Sequence, residues 1–141
     1  MRPPRSSSPE ATRRMRAVRS QGTACELKLA HLLNTLHVSF ESHVRVLPEK
    51  TIQPDFVFPR VKVAIFIDGC FWHGCPEHGS VPRANRMWWQ KKIADNQRRD
   101  LRVVRLLRAN GWVARRFWAH EESGQIASII SRILKQRSRT D

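Results

Sequence analysis

Between Asp68 and His78 the chain runs Asp-Gly-Cys-Phe-Trp-His-Gly-Cys-Pro-Glu-His. Eleven residues thus hold two thiols, two imidazoles and two large aromatic rings, with a carboxylate at the head. Thiols and imidazoles are metal ligands, imidazole also titrates near neutrality, and carboxylates suit hard cations. Flat rings can wedge between stacked bases. A folded core has no reason to gather these types. The run follows a short apolar strand, and Pro54-Asp55 stands in front of another, Phe56-Val57-Phe58.

Asp55 and Asp68 lie thirteen residues apart, one just before a strand and one just past the next. If those strands are neighbours, the two carboxylates meet at one sheet edge. Mg²⁺ needs such hard oxygen ligands, with waters and phosphate oxygens filling the octahedron. Pro-Asp, a spacer and a second acid on a strand form the skeleton of the PD-(D/E)xK nucleases. Taken alone, Pro-Asp is a common turn dipeptide and an acid past a strand end is a common turn former. The lysine of that skeleton, two residues after the second acid, is Cys70 here, so another group must act as base.

Cys70, His73, Cys75 and His78 offer a full set of structural zinc ligands, which takes four N/S donors in a tetrahedron. Two assignments compete. Zinc takes all four local residues, or it takes Cys70, Cys75, His78 and a distant fourth ligand, His120, leaving His73 free. The second choice ties a loop to a remote strand end and stabilises a small fold more. The competing reading makes the thiols small buried groups and the histidines surface residues. Cys25, inside the first helix, is a packing residue.

Phe71 and Trp72 are adjacent in a polar loop, where both cannot easily be core, so they are candidate wedges into DNA. Trp89 is either a further DNA contact or an anchor for its helix. Met15 on a short helix is usually packing, while Arg13, Arg14 and Arg16 around it suit phosphate contacts.

These groups need a frame. The chain has 141 residues, enough for one domain with a core. Lysines and arginines number 26 against 12 acids, a formal charge of +14, which calls for a polyanionic partner. No apolar run approaches the ~20 residues that span a bilayer. The N-terminus has no apolar stretch of the secretory kind, so a cytoplasmic protein without membrane partners is expected. Residues 1–10 are expected to form a disordered basic tail, and 11–141 a single domain whose first segment, 11–22, contacts DNA. A short helix is expected around Thr12 to Arg19. Thr23 then caps a second helix, with Glu26 in capping-box spacing and Leu29, Leu32, Leu33 and Leu36 on one face. Val38 to Val46 is an irregular strand, and Val63 to Ile67 a short, fully apolar one. A long polar helix from about Asn85 to Ala109 turns Trp89, Ile93, Leu101, Val104 and Leu107 inward and stops at Asn110-Gly111. A strand from Trp112 to Trp118 and an amphipathic helix through Ile126, Ile130 and Leu134 complete an α/β fold, a small mixed sheet flanked by helices.

The ordered segments Ala-Thr-Arg-Arg-Met-Arg-Ala-Val (11–18), Thr-Ala-Cys-Glu-Leu-Lys-Leu (23–29), Pro-Asp-Phe-Val (54–57), Gly-Cys-Phe-Trp-His (69–73), Gly-Trp (111–112) and Phe-Trp-Ala-His (117–120) resemble the very-short-patch-repair, or Vsr-type, DNA mismatch endonucleases. The resemblance implies a PD-(D/E)xK restriction-endonuclease-like fold with a structural zinc. It implies a Mg²⁺-dependent nick 5′ of the thymine of a T:G mismatch left by deaminated 5-methylcytosine. It also implies a bacterial, nucleoid-associated protein working on double-stranded DNA, with mismatch-repair proteins as partners, and a single basic domain with an asymmetric nick as product suggests a monomer. By position, Asp55 is similar to the metal-binding aspartate, the Ile67 carbonyl to a further metal contact and His73 to the general base. Zinc then falls to Cys70, Cys75, His78 and His120. Phe71 and Trp72 match the wedge, Met15 a residue inserted from the opposite groove, and Glu26 an acid near the active centre. This chain departs from well-known members in having Ile67-Asp68 where they carry Thr-His. Asp68 is therefore expected to bind metal instead of contacting phosphate. The stretch after Trp72 is compressed, and Ala119 stands where an acid is frequent.

Two other functions fit parts of this pattern. A zinc-stabilised DNA-binding module needs the charge and the cluster but neither Asp55 nor His73. A nuclease of the same fold with other DNA specificity, in restriction or defence, needs all of them.

Overall fold

The computed structural model describes residues 9–48 and 51–139; the side chains of 10–22 lie outside the described set. The elements are α1 (Pro9–Thr35), β1 (Phe56–Phe58), β2 (Val63–Asp68), α2 (Arg86–Ala109), β3 (Val113–Trp118) and α3 (Ser123–Arg139). The sheet order is β1-β2-β3, with β1 antiparallel and β3 parallel to β2. A mixed sheet is the expected class, and helices cover both its faces.

The alternation of strand side chains builds two cores. Val63, Ile65 and Ile67 of β2 and Phe117 of β3 pack with Leu29 and Leu33 of α1 and with Ile126 and Ile130 of α3. Ala64, Phe66 and Ala114 face the other way, against Leu107, Val103 and Val104 of α2. A strand covered on both sides must be apolar throughout, which accounts for the unbroken Val-Ala-Ile-Phe-Ile run. Leu29, Leu33, Ile65, Leu107, Ile126 and Ile130 are at most 1% exposed. Each contributes about 1.5–3 kcal/mol through burial.

Four expectations change. One continuous helix, α1, replaces the two expected ones. Thr23 therefore lies inside a helix, and the capping-box reading of Glu26 fails because there is no N-terminus there to cap. Val38 to Val46 is not a strand: a single bridge joins Glu41 to Val57. His43, with φ of 56°, turns the chain out of extended geometry two residues later. Leu101 is 58% exposed, since the inward stripe of α2 passes through residue 100 instead. The Asn110-Gly111 stop is present: Gly111 takes φ of 84°, and Trp112 N–H bonds back to the Leu107 carbonyl at 3.0 Å. Of the expected tail, residues 1–8 lie outside the described residues, and Pro9 already begins α1.

No described helix is long and apolar enough to cross a membrane.

Candidate active site

Asp55 precedes β1 directly, and its Oδ2 accepts the backbone N–H of Ile67 at 2.6 Å. This bond locks the acid to the C-terminal end of the central strand. Glu26 of α1 and His43 complete a group of three. His43 Nε2 lies 3.3 Å from Glu26 Oε2, and its Nδ1 lies 3.8 Å from Asp55 Oδ1. Burial, then the neighbouring Asp55 carboxylate, pushes Glu26 up to about 7, against the opposite pull of His43. Two carboxylates held this close are a poor arrangement for a molecule without a cation and a good one for holding one.

Asp68, the last residue of β2, points to the α2 face with Ala64 and Phe66. There it groups with His73 and Asp100, and shares no such group with Asp55. The expected Asp55–Asp68 pair is therefore divided: each acid has its own cluster. The physical cause is on β3. Arg116 stands in register with Phe66 and clamps Asp68 with two hydrogen bonds, Nε to Oδ2 and Nη2 to Oδ1, both 2.8 Å. Asp68 is the only buried charged residue among the described ones, and this fork compensates it. Arg116 Nη2 also lies 3.1 Å from Asp100 Oδ1, and Asp100 Oδ2 lies 2.6 Å from His73 Nδ1.

His73 is free of the thiol cluster, as the second zinc assignment requires. The four-ligand group is Cys70, Cys75, His78 and His120, with ligand atoms all within 4.8 Å of one another. His120 Nδ1 lies 3.1 Å from Cys70 Sγ and 3.7 Å from Cys75 Sγ. Ligands on tetrahedral zinc, at ~2.0–2.3 Å from the ion, stand roughly 3.3–3.8 Å apart, so these spacings suit it. Burial, and then the Cys75 thiol beside it, pushes the Cys70 thiol up, which a cation would reverse. Glu77 Oε2 lies 3.5 Å from His120 Nε2 and can orient the ring from behind. The loop winds tightly: Cys75 N–H bonds to the Cys70 carbonyl at 2.9 Å and Gly79 N–H to the Cys75 carbonyl at 2.8 Å. A Cβ at Gly79 would fall 2.9 Å from the Cys75 nitrogen and closer still to its carbonyl oxygen, so only glycine fits.

α2 holds this loop from outside. Asn96 Nδ2 donates to the Trp72 carbonyl at 2.9 Å, and Gln97 Nε2 to the His73 carbonyl at 3.3 Å. Phe71 and Trp89 are each 8% exposed, while Trp72 is half-buried. The rings stack edge to face, with centroids 5.2 Å apart for Phe71–Trp72, 5.6 Å for Trp72–Trp89 and 4.7 Å for Trp88–Trp89. Trp72 is thus partly open to a ligand, as Trp88 is, and is mounted on the buried rings of Phe71 and Trp89. The side chains of Met15, Arg13, Arg14 and Arg16 lie outside the described residues; their backbone belongs to α1.

Sequence reasoning missed Asp100, Asn96, Arg116 and His43. Asp100 had a signal: Ile93, Asn96, Asp100, Val104 and Leu107 share the inward stripe of α2, so an acid interrupts an apolar row. Arg116 and His43 had none, because their roles depend on strand register and on one left-handed residue.

Residues 8–78 match the family model described as DNA mismatch endonuclease Vsr. The type II nicking enzyme V.NaeI of Lentzea aerocolonigenes is 38% identical over 122 residues, covering 84% of this chain and 74% of that one. The type II nicking enzyme V.XorIIP of Xanthomonas oryzae pv. oryzae is 38% identical over 132 residues, 90% and 94% of the respective chains. The DNA mismatch endonuclease Vsr of Escherichia coli is 35% identical over 105 residues, 72% of this chain and 64% of that one.

Proposed function

Because the chain belongs to the Vsr family of DNA mismatch endonucleases, we propose that this nicking DNA endonuclease cuts one strand, with Mg²⁺, at T:G mismatches in very short patch repair. One observation carries the reading: the acid group at Asp55 and the His73–Asp100 couple meet the same end of β2, at Ile67 and Asp68.

Asp55 and Glu26, with the Ile67 carbonyl, would hold the magnesium ion. When bound, that ion supplies charge neutralisation at the phosphate and lowers the pKa of an attacking water. His73 donates Nδ1–H to Asp100, which leaves the lone pair of the neutral ring on Nε2 to accept the proton of that water. Asp68 is assigned to Arg116 and not to this ion, since the two-pronged guanidinium neutralises it and it groups with His73 and Asp100, not with Asp55 and Glu26. Zinc held by Cys70, Cys75, His78 and His120 would keep the loop that carries His73 in shape. Recognition would use the low cost of opening a T:G pair, with Trp72 as the wedge and Phe71 and Trp89 as its support. The net charge of +14 supplies the phosphate attraction.

A second reading, the same chemistry with other DNA specificity, is favoured by the relatives named type II nicking enzymes. Both are tested by one assay: labelled duplexes with a T:G mismatch and with matched T:A, in Mg²⁺ and in EDTA. Cutting of the mismatch alone, 5′ of the thymine and only with Mg²⁺, supports repair. Equal cutting of both duplexes supports the second reading. Tight binding without cutting in any flanking context excludes both.

A further inference from the structure

The chemistry above gives no role to Arg116 beyond neutralising Asp68. We propose that Arg116 is a positioning residue, which fixes Asp100 against His73, with Asp68 as its rigid counter-charge. This rests on the reading of His73 as proton acceptor.

The four side chains form an unbroken series. Asp68 takes two bonds from Arg116 at 2.8 Å, Arg116 Nη2 reaches Asp100 Oδ1 at 3.1 Å, and Asp100 Oδ2 meets His73 Nδ1 at 2.6 Å. Each member comes from a different place: the end of β2, the middle of β3, the inward face of α2 and the loop. A carboxylate held by one oxygen alone can rotate about its terminal torsion, which is soft. Holding the second oxygen fixes the plane of Asp100 and hence the direction in which His73 presents Nε2.

The guanidinium itself is immobilised. It lies 4.3 Å over the Phe66 ring, and its Nη1 is buried with no hydrogen-bond partner among the described residues. An unpaired buried donor opposes stability, so an arginine placed for stability alone has no need of it. Asp68 Oδ1 is also 3.9 Å from His73 Nδ1, so two carboxylates compete for one imidazole. Arg116 occupies both Asp68 oxygens and leaves Asp100 as the partner. A lysine cannot reproduce this, since a point charge lacks the two-pronged geometry.

The test uses Arg116→Met, which keeps the apolar stem over Phe66, and Arg116→Lys. The double variant Asp68→Asn with Arg116→Met removes the uncompensated buried acid and guards against simple unfolding. Three quantities are read: the single-turnover nicking rate, the DNA dissociation constant, and the ¹H resonance of His73 Nδ1–H in the DNA-free protein. We expect all three variants to lose about 10- to 100-fold in rate, part of the ~10²–10⁴ that general base catalysis supplies, with DNA affinity unchanged. We also expect the downfield His73 proton of the parent protein to shift or broaden in each. A folded double variant with parental rate, full activity in Arg116→Lys, or an unchanged His73 resonance would each overturn the proposal. If the parent protein nicks no duplex, the nuclease reading fails. The resonance, measured without DNA, still decides whether Arg116 positions the couple.

Discussion

Asp55 Oδ2 accepts the main-chain N–H of Ile67 at 2.6 Å, a bond across the β1–β2 pair between residues twelve apart. One oxygen of the acid is therefore committed to the scaffold, and the other faces Glu26 and His43. A carboxylate oriented in advance holds a cation without reorganising when substrate arrives. Asp55→Asn preserves shape and removes charge. It should leave DNA affinity within a few-fold and lower nicking by roughly 10³-fold, the several kcal/mol expected from metal assistance. Single-turnover kinetics beside a binding titration check this, and retained cutting would remove Asp55 from the chemistry.

Glu26 makes the metal-free protein sensitive to pH. Its folded value of about 7 stands above the ordinary 4.5, because burial and Asp55 disfavour the charged form. The folded state thus binds the extra proton between those values, and stability falls as pH rises from about 4.5 to about 7. A divalent cation bound beside Glu26 would replace that proton. Thermal melts in magnesium-free buffer should show the decline, added Mg²⁺ should raise Tm more at pH 8 than at pH 6, and Glu26→Gln should flatten both trends. A Tm gain from Mg²⁺ that is the same at both pH values would count against the metal role.

The thiol cluster should carry one zinc per chain. Cys75 is buried, and its removal breaks a link between the motif loop and His120, two residues past the end of β3. Cys75→Ser should abolish zinc content by elemental analysis and lower Tm by more than about 10 °C, the scale of a few kcal/mol lost from a domain of this size. Purified parent protein without zinc, as stable as the variant, would make the cluster a set of free thiols.

Trp72 should matter to DNA and not to folding. It is half-buried on a base formed by Phe71 and Trp89, so Trp72→Ala leaves that base in place. Loss of one stacking ring should weaken binding to a mismatched duplex by about 10- to 100-fold. Binding to matched DNA, set by phosphate contacts, should change little and retain a steep dependence on salt. Equal loss on both duplexes would mean that Trp72 does not sense the mismatch.

Much of this was legible wherever the information was local. The apolar run of β2, the inward stripe and glycine stop of α2 and the amphipathic α3 are written in consecutive residues. The ligand types of the thiol cluster are local too, with His120 as the sole distant member. What the chain did not disclose depends on register. Whether Asp68 meets Asp55 or Arg116 turns on which residue of β3 lies opposite Phe66, and no pattern within β2 encodes that. The bend at His43 is similar. An imidazole in left-handed geometry is invisible in a polar stretch, yet it ends the expected strand and brings a third group to Asp55 and Glu26.

The parallel pairing of β2 with β3 joins Val63 to Val113 and Asp68 to Trp118. Fifty residues of chain separate the partners, so this pairing closes a long loop and is non-local. During synthesis, which proceeds from the N-terminus, both acids and the whole motif loop are made before Arg116 and His120 exist. Until then the loop lacks the His120 contact to Cys70 and Cys75, and Asp100 lacks Arg116. A nascent or prematurely terminated product ending before residue 113 should therefore be inert toward DNA, and cutting should appear only once the last strand has docked.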